Sequence, residues 1–408
     1  MSHLIKKAVS ALKSKGFSET ARSGVKHIKY KYLSLRKLPV RLDGVVNVDD
    51  FKNVIVFENK FGWTKLMKQR PQQIAENLPS DTLMFYNTDY KNDFPDGKHI
   101  RKLKNNLVLI DLGYYRYSLT EKLKSCPNRF LMIYSTDYID MPRINEYIKN
   151  GFGVIYEYVD EINRDLMGSE MYELLHERHI ELTSVDGVCV VCTANELKNK
   201  LGREAKLITN GVCYEHFKKR RYPVPDDLAP VKKKHSTIVC YYGALASWFD
   251  YELIKKLAED KDLGIVLIGM DYDGTLGKSG ALDENNVYYL GRKAYEELPA
   301  YGCNSDILTI PFLINDITKA TSPVKIFEYM AMEKPIVTTD LPECRKYRSV
   351  LISKSCDEFI GNVKRALELK EDPEYIAAEI AEAKENDWSI KAKELVEYAL
   401  ENKRELTC

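Results

Sequence analysis

The amino-acid sequence predicts an α/β fold with two doubly wound, Rossmann-like domains that face a cleft, followed by a C-terminal helix. Short apolar strand patterns alternate with helical patterns from about Asn53 onward, which is typical of a parallel sheet covered on both faces. The alternation stops in the charged, proline-rich segment 218–235 and restarts at TIVCYYG, so we interpret that segment as a linker. A chain of 408 residues is long enough for about two domains with their own cores.

Each half of the chain contains a regular series of predicted strands and helices. In the first half the strands are NVIVFEN, DTLMFYN, NLVLIDLG, RFLMIYS, GVIYEYV, GVCVVCT and AKLITNG, and the helices include QRPQQIAENL and SEMYELLHERHIELTS. In the second half the strands are TIVCYYG, GIVLIGM, NVYYLG, DILTIPF and PIVTTD, and NDWSIKAKELVEYALENK is a final amphipathic helix. The predicted segments are a basic arm at 1–45, an N-terminal domain at 46–217, a linker at 218–234, a C-terminal domain at 235–384 and a C-terminal helix at 385–408.

The composition is typical of a globular protein and gives no sign of a membrane span. Hydrophobic residues make up 44% and charged residues 30% of the chain, and no apolar run approaches the roughly 20 residues of a transmembrane helix. No signal peptide opens the sequence. Nine cysteines are scattered without a disulfide framework, which favours a reducing compartment. We therefore expect a cytoplasmic location.

Positive charge is concentrated between Met1 and Arg41. This stretch contains eleven Lys or Arg residues and one acidic residue, Glu19, so that it carries about +10, whereas the whole chain carries +1. Apolar residues interleave with the basic ones, which favours one or two amphipathic helices at an anionic membrane surface. A solvated helical arm that packs on its own domain fits the pattern equally well. No nucleic-acid reader motif accompanies the charge, so we expect no nucleic-acid partner.

The stretch TSPVKIFEYMAMEKPIVTTDLPE, residues 321–343, predicts a helix that leads into a buried strand. Ser322 is the predicted N-cap and Pro323 the predicted first helical residue. The N-terminus of such a helix can hold an anion, Lys325 adds a full positive charge beside it, and Glu328 can accept hydrogen bonds from a diol. Phosphate and ribose together indicate a nucleotide. The alternative is a surface ion pair between Lys325 and Glu328 at i,i+3 spacing.

Several blocks of the sequence resemble one enzyme family. The best matched is GRKAYEELPAYGCNSDILTIPFLINDITKATSPVKIFEYMAMEKPIVTTDLPE, and the others are KQRPQQIA, YEYVDE, NGVCYEHF and YYGALASWFDYELI. Together they resemble the family-4-like (group 1) glycosyltransferases of GT-B fold, close to their teichuronic-acid-biosynthesis-type branch. The resemblance implies that the C-terminal domain binds a nucleotide-sugar donor and the N-terminal domain binds the acceptor. It also implies that the last helix crosses back onto the first domain.

The resemblance assigns the donor site to seven residues, which are Gly243, Arg292, Ser322, Pro323, Val324, Lys325 and Glu328. Glu328 would hold the ribose hydroxyls, and the start of the helix with Lys325 would hold the diphosphate. The glycine would let the backbone approach the donor, and Arg292 would lie near the base. A leaving diphosphate needs positive charge where negative charge develops, and it requires no protein nucleophile.

Three further residues are candidates for the catalytic side of the site. Arg70, in the KQRP block, stands where related enzymes have a glycine-rich loop, and it could clamp a phosphate with two parallel N–H groups. Asp160 and Glu161 follow a predicted strand, where one of them is expected to bind acceptor hydroxyls or to act as a general base. The alternatives are that Arg70 merely opens a helix before Pro71 and that the two acidic residues merely begin the next helix.

Three positions depart from the family pattern. Ala320 stands where the family's E-x7-E motif has its first glutamate, the loop ALASWFDYEL lacks the usual Arg and Lys pair, and Glu333 replaces a glycine after the helix. The acidic DYD loop, residues 271–273, imitates a metal-binding motif of another glycosyltransferase fold, but we interpret it as a surface turn. We therefore expect no metal and no cofactor beyond the donor substrate.

The predicted function is transfer of a hexosyl or related sugar from a nucleotide-sugar donor to a lipid-linked or polysaccharide acceptor. The setting would be bacterial-type cell-envelope or capsule glycan synthesis, with the protein peripheral on the inner face of the plasma membrane. Two alternatives remain open at this point. One is a catalytically weak GT-B protein that binds glycans or partner proteins, and the other is a GT-B sugar-nucleotide epimerase.

Overall fold

The computed structural model describes residues 38–64 and 68–405. Residues 1–37 of the predicted basic arm therefore lie outside the described residues. Contacts divide the chain into two compact units, which we describe separately. The described part of the first unit is 38–64, 80–132 and 139–154. The described part of the second unit is 68–79, 133–138 and 155–405. These units differ from the predicted domain bounds, which stay a prediction.

The first sheet has eight strands in the order β3-β4-β2-β1-β5-β6-β7-β8. Their bounds are β1 Asn53–Glu58, β2 Thr82–Asn87, β3 Ile100–Lys104, β4 Leu107–Ile110, β5 Asn128–Tyr134, β6 Gly153–Tyr158, β7 Val188–Cys192 and β8 Lys206–Leu207. β1 pairs with β2, β2 with β4 and β7 with β8 in parallel. β3 is antiparallel to β4, and the sequence did not predict it because its basic, largely exposed residues lack an apolar pattern.

Helices separate most of these strands. They are α1 Arg70–Glu76, α2 Leu112–Lys122, α3 Met141–Lys149, α4 Arg164–Met167, α5 Ser169–Ser184, α6 Asn195–Lys200 and α7 Tyr214–Phe217. α1 begins with a capping box in which the Gln69 and Gln72 side chains bond each other's backbone, and proline follows at its start. This local sequence explains why the KQRP block is helical.

The second sheet has six strands in the order β11-β10-β9-β12-β13-β14. Their bounds are β9 Thr237–Tyr242, β10 Leu263–Ile268, β11 Val287–Tyr289, β12 Ile307–Ile310, β13 Ile336–Thr339 and β14 Val350–Ser353. All its recorded pairings are parallel, and every residue of β9, β10 and β12 is buried. Continuous burial agrees with continuous apolar runs, because helices cover both faces of a parallel sheet. The predicted α/β fold is confirmed, with parallel pairing in both sheets apart from the edge strand β3.

The remaining helices belong to the second unit. They are α8 Ala229–Lys234, α9 Tyr251–Leu257, α10 Thr275–Lys278, α11 Leu298–Cys303, α12 Asp316–Lys319, α13 Val324–Ala331, α14 Cys356–Leu369, α15 Pro373–Glu385 and α16 Trp388–Glu405. α8 lies inside the segment predicted as a linker, and Leu228 and Val231 there join the hydrophobic core. α16 contacts α1 and β7. Glu333, after α13, has a φ of +53°, the conformation that favours the glycine it replaces.

No helix within residues 38–64 and 68–405 is both long enough and apolar enough to cross a membrane.

Candidate functional site

Three loops of the second sheet meet at the carboxyl edge of its strands. β9 ends at Tyr242 and β10 ends at Ile268, and their parallel pairing places both ends at the same edge. The Gly243 N–H donates to the carbonyl of Ile268 (2.8 Å), and the Gly269 N–H donates to the carbonyl of Gly291 (2.9 Å). Backbone hydrogen bonds therefore join the loops that follow β9, β10 and β11.

Glycine is required at two of these positions. Gly243 has a φ of +146°, and a Cβ there would overlap Cε of Lys325 and lie 2.8 Å from its Nζ. Gly269 has a φ of +142°, and a Cβ there would overlap the Gly243 carbonyl oxygen. The β9 loop can approach the lysine only because Gly243 has no side chain. Sequence reasoning singled out Gly243 and missed Gly269, although the signal, a glycine directly after the GIVLI strand, was visible.

The start of α13 differs from the predicted cap. Pro323, and not Ser322, occupies the N-cap position, Val324 is the first helical residue, and no side chain caps the helix. Ser322 is turned to another partner, because its Oγ accepts a hydrogen bond from the Asn210 N–H (3.2 Å) and its carbonyl accepts one from Asn210 Nδ2 (2.7 Å). The first N–H groups of α13 are consequently not satisfied by any cap, which suits an anion site.

Lys325 lies half-buried in the first turn of α13. Its Nζ lies 5.6 Å from the ring centroid of Tyr241 and 5.8 Å from that of Phe312, and it forms no ion pair with a carboxylate of the described residues. Loss of hydration lowers the pKa of Lys325, while the charge of Glu328 opposes that shift. The alternative of a surface ion pair is thus not what the structure contains, and the ammonium is available to an anion.

Glu328 is the buried carboxylate of the site, with 6% of its surface exposed. Burial raises its pKa to about 7, and Tyr242 and Lys325 oppose this shift. The Tyr242 hydroxyl is also buried, but it makes no hydrogen bond of normal geometry within the described residues. Tyr242 lies close enough to lower the pKa of Glu328 but does not occupy its oxygens with such a bond. We therefore infer that the Glu328 carboxylate can accept hydrogen bonds from hydroxyl groups of a ligand.

A tyrosine that sequence reasoning missed packs against α7, a helix that contacts α13. The Tyr295 hydroxyl accepts a hydrogen bond from Gln73 Nε2 (2.8 Å), and the His216 ring stacks on the tyrosine ring at 4.6 Å between centroids. Burial raises the pKa of Tyr295, and the charge of Glu328 adds to that shift. The only sequence signal was its place in the GRKAYEEL block.

Arg70 is almost completely buried and is bound to protein acceptors. Its Nη2 and Nε donate to the two carboxylate oxygens of Glu157 (2.7 and 3.3 Å). Its Nη1 donates to the Thr209 carbonyl (3.0 Å) and to Asn210 Oδ1 (3.3 Å). Glu157 is fully buried. The Arg70 guanidinium therefore neutralises an internal carboxylate, and its predicted role as a phosphate clamp stays a prediction.

The other three predicted residues have different surroundings. Arg292 is exposed and makes no hydrogen bond to any residue that the structure describes. Loss of hydration raises the pKa of Asp160 to about 6, and the positive charge of Arg70 opposes this shift. Asp160 is nevertheless an exposed residue, so solvent moderates that shift. Glu161 is paired with Lys200 Nζ at 2.8 Å. Asp160 thus has the properties of a base that operates near neutral pH, whereas Glu161 is already engaged.

The DYD loop is a hydrogen-bonded turn. Asp273 accepts hydrogen bonds from the N–H groups of Ser247 (2.8 Å) and Thr275 (3.1 Å). Asp271 accepts hydrogen bonds from the N–H groups of Leu276 and Gly277, each at 3.3 Å. Across residues 38–64 and 68–405, no group of three or more His, Cys, Asp or Glu side chains is arranged to hold a metal ion. The aspartates therefore hold the loop and the start of α10 in place.

The predicted donor residues largely converge. Gly243, Pro323, Val324, Lys325 and Glu328 surround the start of α13 at the carboxyl edge of the second sheet. Ser322, directly before Pro323, is held in place by its two hydrogen bonds with Asn210. The arrangement combines uncapped helical N–H groups, one ammonium and one buried carboxylate, which are the groups that bind a phosphate next to a diol.

Comparison with known proteins agrees with this geometry. Residues 239–369 match the family model "Glycosyl transferases group 1". The putative teichuronic acid biosynthesis glycosyltransferase TuaH of Bacillus subtilis (strain 168) is 26% identical over 213 residues, which cover 50% of this chain and 53% of TuaH. The chain therefore spans about half the length of this curated relative.

Solved structures resemble the chain over most of its length. Anabaena Alr3699/HepE in complex with UDP has a TM-score of 0.57 at 14% identity and covers 86% of this chain and 99% of its own. An alpha,alpha-trehalose-phosphate synthase (UDP-forming) from Burkholderia vietnamiensis has a TM-score of 0.62 at 13% identity, with 88% and 99% covered. At such identities the likeness concerns the fold. The chain has the two-domain GT-B fold of these structures, and its residues 239–369 match the group 1 glycosyltransferase model.

Proposed function

We propose that this protein is a glycosyltransferase that moves a sugar from a nucleotide-sugar donor to a lipid-linked or polysaccharide acceptor. The observation that carries the proposal is the placement of Lys325 and Glu328 on α13, one turn apart, beside the backbone of Gly243. Residues three apart lie on one side of a helix. A diphosphate at the helix start and a ribose at Glu328 therefore fit the same side of α13.

The chemistry follows from these groups. When the bond between the sugar and the diphosphate breaks, negative charge develops on the leaving phosphate oxygen. The Lys325 ammonium and the N–H groups of Val324 and its neighbours stabilise that charge from fixed positions, which cost no reorganisation during the reaction. Glu328 accepts hydrogen bonds from the ribose and orients the donor. Asp160, whose pKa is raised towards neutrality, is the proposed base for the acceptor hydroxyl.

The similar proteins support the substrate classes. HepE was crystallised with UDP and with UDP-glucose, which supports a nucleotide-sugar donor, and the name of TuaH refers to teichuronic acid biosynthesis. By analogy with TuaH, we propose that the acceptor of this protein is a glycan of the cell envelope or capsule. The location that we propose is the cytoplasmic face of the plasma membrane.

The deciding experiment is a thermal-shift series with UDP, GDP and dTDP. A nucleotide that binds only the folded protein stabilises it, by about 2.7 kcal/mol at a concentration of 100 Kd. We expect one of the three diphosphates to raise the melting temperature and its sugar conjugate to be turned over with an oligosaccharide acceptor. Binding without turnover would indicate a glycan-binding subunit, and a new sugar nucleotide formed without acceptor would indicate an epimerase. No shift with any diphosphate would contradict the proposal.

The raised pKa of Glu328 predicts a pH dependence of nucleotide affinity. We expect affinity to fall as the pH drops through about 7, because the protonated carboxyl is a weaker acceptor for the ribose hydroxyls. At pH 8, Glu328→Gln should weaken binding by about 1–3 kcal/mol and should lack this decline. Titration calorimetry from pH 6 to pH 8.5 measures both effects. An unchanged pH profile in Glu328→Gln would show that another group titrates.

The same pKa has a consequence for stability. A carboxyl group whose pKa rises from 4.5 in the unfolded chain to about 7 in the folded chain binds its proton more tightly when folded. The contribution of Glu328 to the free energy of unfolding is therefore full below pH 4.5 and decreases as the pH rises towards 7.

The proposed chemistry uses no divalent metal. We expect the transfer rate to persist in excess EDTA, because Lys325 and the start of α13 supply the positive charge that a metal would otherwise bring. Asp271→Asn should also keep activity, since Asp271 accepts main-chain hydrogen bonds within its own loop and asparagine keeps one of the two acceptor oxygens. If chelation and Asp271→Asn both abolished turnover, the DYD loop would be a metal site.

The basic arm is proposed to bind an anionic membrane. Its net charge of about +10 predicts binding to vesicles that contain anionic lipid, at up to about 1 kcal/mol per basic residue near the surface, and release at high salt. A shortened chain that begins near Val45 should lose this binding and keep activity on a soluble acceptor. Vesicle sedimentation measures it, with neutral vesicles as the control. If the arm packs on its own domain instead, truncation lowers the melting temperature and the intact chain binds no vesicles.

A further inference from the structure

A chain of polar side chains, three of them buried, leads from α1 to the start of α13. It consists of Glu157, Arg70, Asn210 and Ser322, which are joined by the hydrogen bonds described above. Glu157, Arg70 and Ser322 have at most 6% of their surface exposed. Asn210 is half-buried. Solvent is therefore excluded from the bonds between Arg70 and Glu157, and it has limited access to those of Asn210.

Arg70 determines which way the Asn210 amide points. Four of the five guanidinium N–H groups are accounted for by Glu157, Thr209 and Asn210. Because the guanidinium can only donate, Asn210 must present its oxygen to Arg70 and its NH₂ group to the Ser322 carbonyl. A reversed amide would place a donor against a donor and an oxygen against an oxygen. Arg70 has few donors left for a phosphate, so the geometry favours positioning over direct binding.

A second contact from α1 reaches the other end of the same site. Gln73 lies one helical turn after Arg70, and its side chain is 2% exposed. Its Nε2 donates to the Tyr295 hydroxyl at 2.8 Å. The Tyr295 ring stacks on His216 of α7, a helix that contacts α13. α1 therefore supports the phosphate end of the site through Asn210 and the ribose end through Tyr295.

We propose that α1 positions the donor site, and that Arg70, Asn210 and Gln73 are positioning residues that act without touching the donor. Asn210 holds the backbone that precedes Pro323, so the first N–H groups of α13 and Lys325 face the diphosphate. Gln73 holds Tyr295 against α7, which packs on α13, the helix that carries the carboxylate for the ribose. This proposal rests on the proposed function, because it assigns the two ends of the nucleotide to two supports.

The two supports predict two different binding defects. Asn210→Ala should weaken binding of a nucleoside diphosphate by about tenfold and change binding of the matching nucleoside by less than about twofold, because a nucleoside has no phosphate for the start of α13. Gln73→Met, which keeps the volume and removes the donor, should weaken both ligands by a similar factor. UDP with uridine, GDP with guanosine and dTDP with thymidine are the probes, measured by calorimetry or by competition.

A matched variant separates positioning from a general loss of stability. Asn286 is a buried asparagine of the same unit, and its Nδ2 likewise donates to main-chain carbonyls, those of Asp260 and Leu263, at 3.0 Å each. Asn286→Ala should lower the melting temperature without changing the ratio of diphosphate to nucleoside affinity. If Asn210→Ala does not fold, Asn210→Ser serves instead, since it removes the amide donor to Ser322 without adding a charge near the diphosphate.

The possible outcomes separate a failure of the positioning role from a failure of the proposed function. A reduced ratio in the Asn210 variant, with an unchanged ratio in Asn286→Ala, supports the positioning role. An unchanged ratio in both variants, or an equal reduction in both, overturns that role and leaves the proposed function intact. If the unaltered protein binds none of the three diphosphates, the proposed function fails and the positioning role fails with it.

Discussion

Lys325→Met is expected to lower kcat for sugar transfer by about 10²–10³-fold, the usual effect of removing one group that stabilises developing negative charge. The structure offers little to replace it, since the β9 loop lacks the Arg and Lys pair and Arg70 is committed to Glu157. The rate is measured with saturating donor and a soluble acceptor. Because the ammonium is half-buried and pairs with no carboxylate of residues 38–64 or 68–405, we expect the free energy of unfolding to stay the same or to increase.

The matched control for this variant is Lys364→Met, which removes an exposed lysine on α14. It should leave both kcat and the melting temperature unchanged. If Lys325→Met kept kcat within tenfold of the unaltered protein, the helix start alone would suffice for the leaving group, and Lys325 would not be a catalytic residue.

Arg70→Met is expected to lower the free energy of unfolding by about 3–5 kcal/mol, because it leaves the fully buried Glu157 carboxylate without its cation. The Thr209 carbonyl also loses its donor. Urea denaturation followed by circular dichroism measures the change. The double variant Arg70→Met/Glu157→Gln should recover much of the loss, since it removes the uncompensated charge.

An exposed pair of the same geometry provides the control. Arg345 Nε and Nη2 donate to the two carboxylate oxygens of Asp340 at 2.6 and 2.8 Å, but the Arg345 side chain is 54% exposed. Arg345→Met should therefore cost less than about 1 kcal/mol. Equal losses in Arg70→Met and Arg345→Met would mean that the burial of the Arg70 pair contributes nothing.

Sequence alone was sufficient for the features that depend on neighbours along the chain. The alternation of short apolar runs with helical patterns predicted two parallel sheets, and the run TSPVKIFEYM predicted a helix that presents Lys325 and Glu328 together. Both are local properties, since a buried parallel strand is a short apolar run and a helix brings together residues three and four apart. Even here one detail was wrong, because the N-cap of α13 is Pro323 and Ser322 bonds to Asn210 instead.

Only the tertiary structure decided which distant side chains complete the site. Arg70 and Glu157 are 87 positions apart, Asn210 and Ser322 are 112 apart, and Gln73 and Tyr295 are 222 apart. No periodic pattern reports such pairs, because they depend on how the strands and helices are stacked. The sequence therefore identified an arginine in a conspicuous block and a helix fit for an anion. The fold determined that Arg70 faces a buried carboxylate, where the low polarity of the interior makes an ion pair necessary.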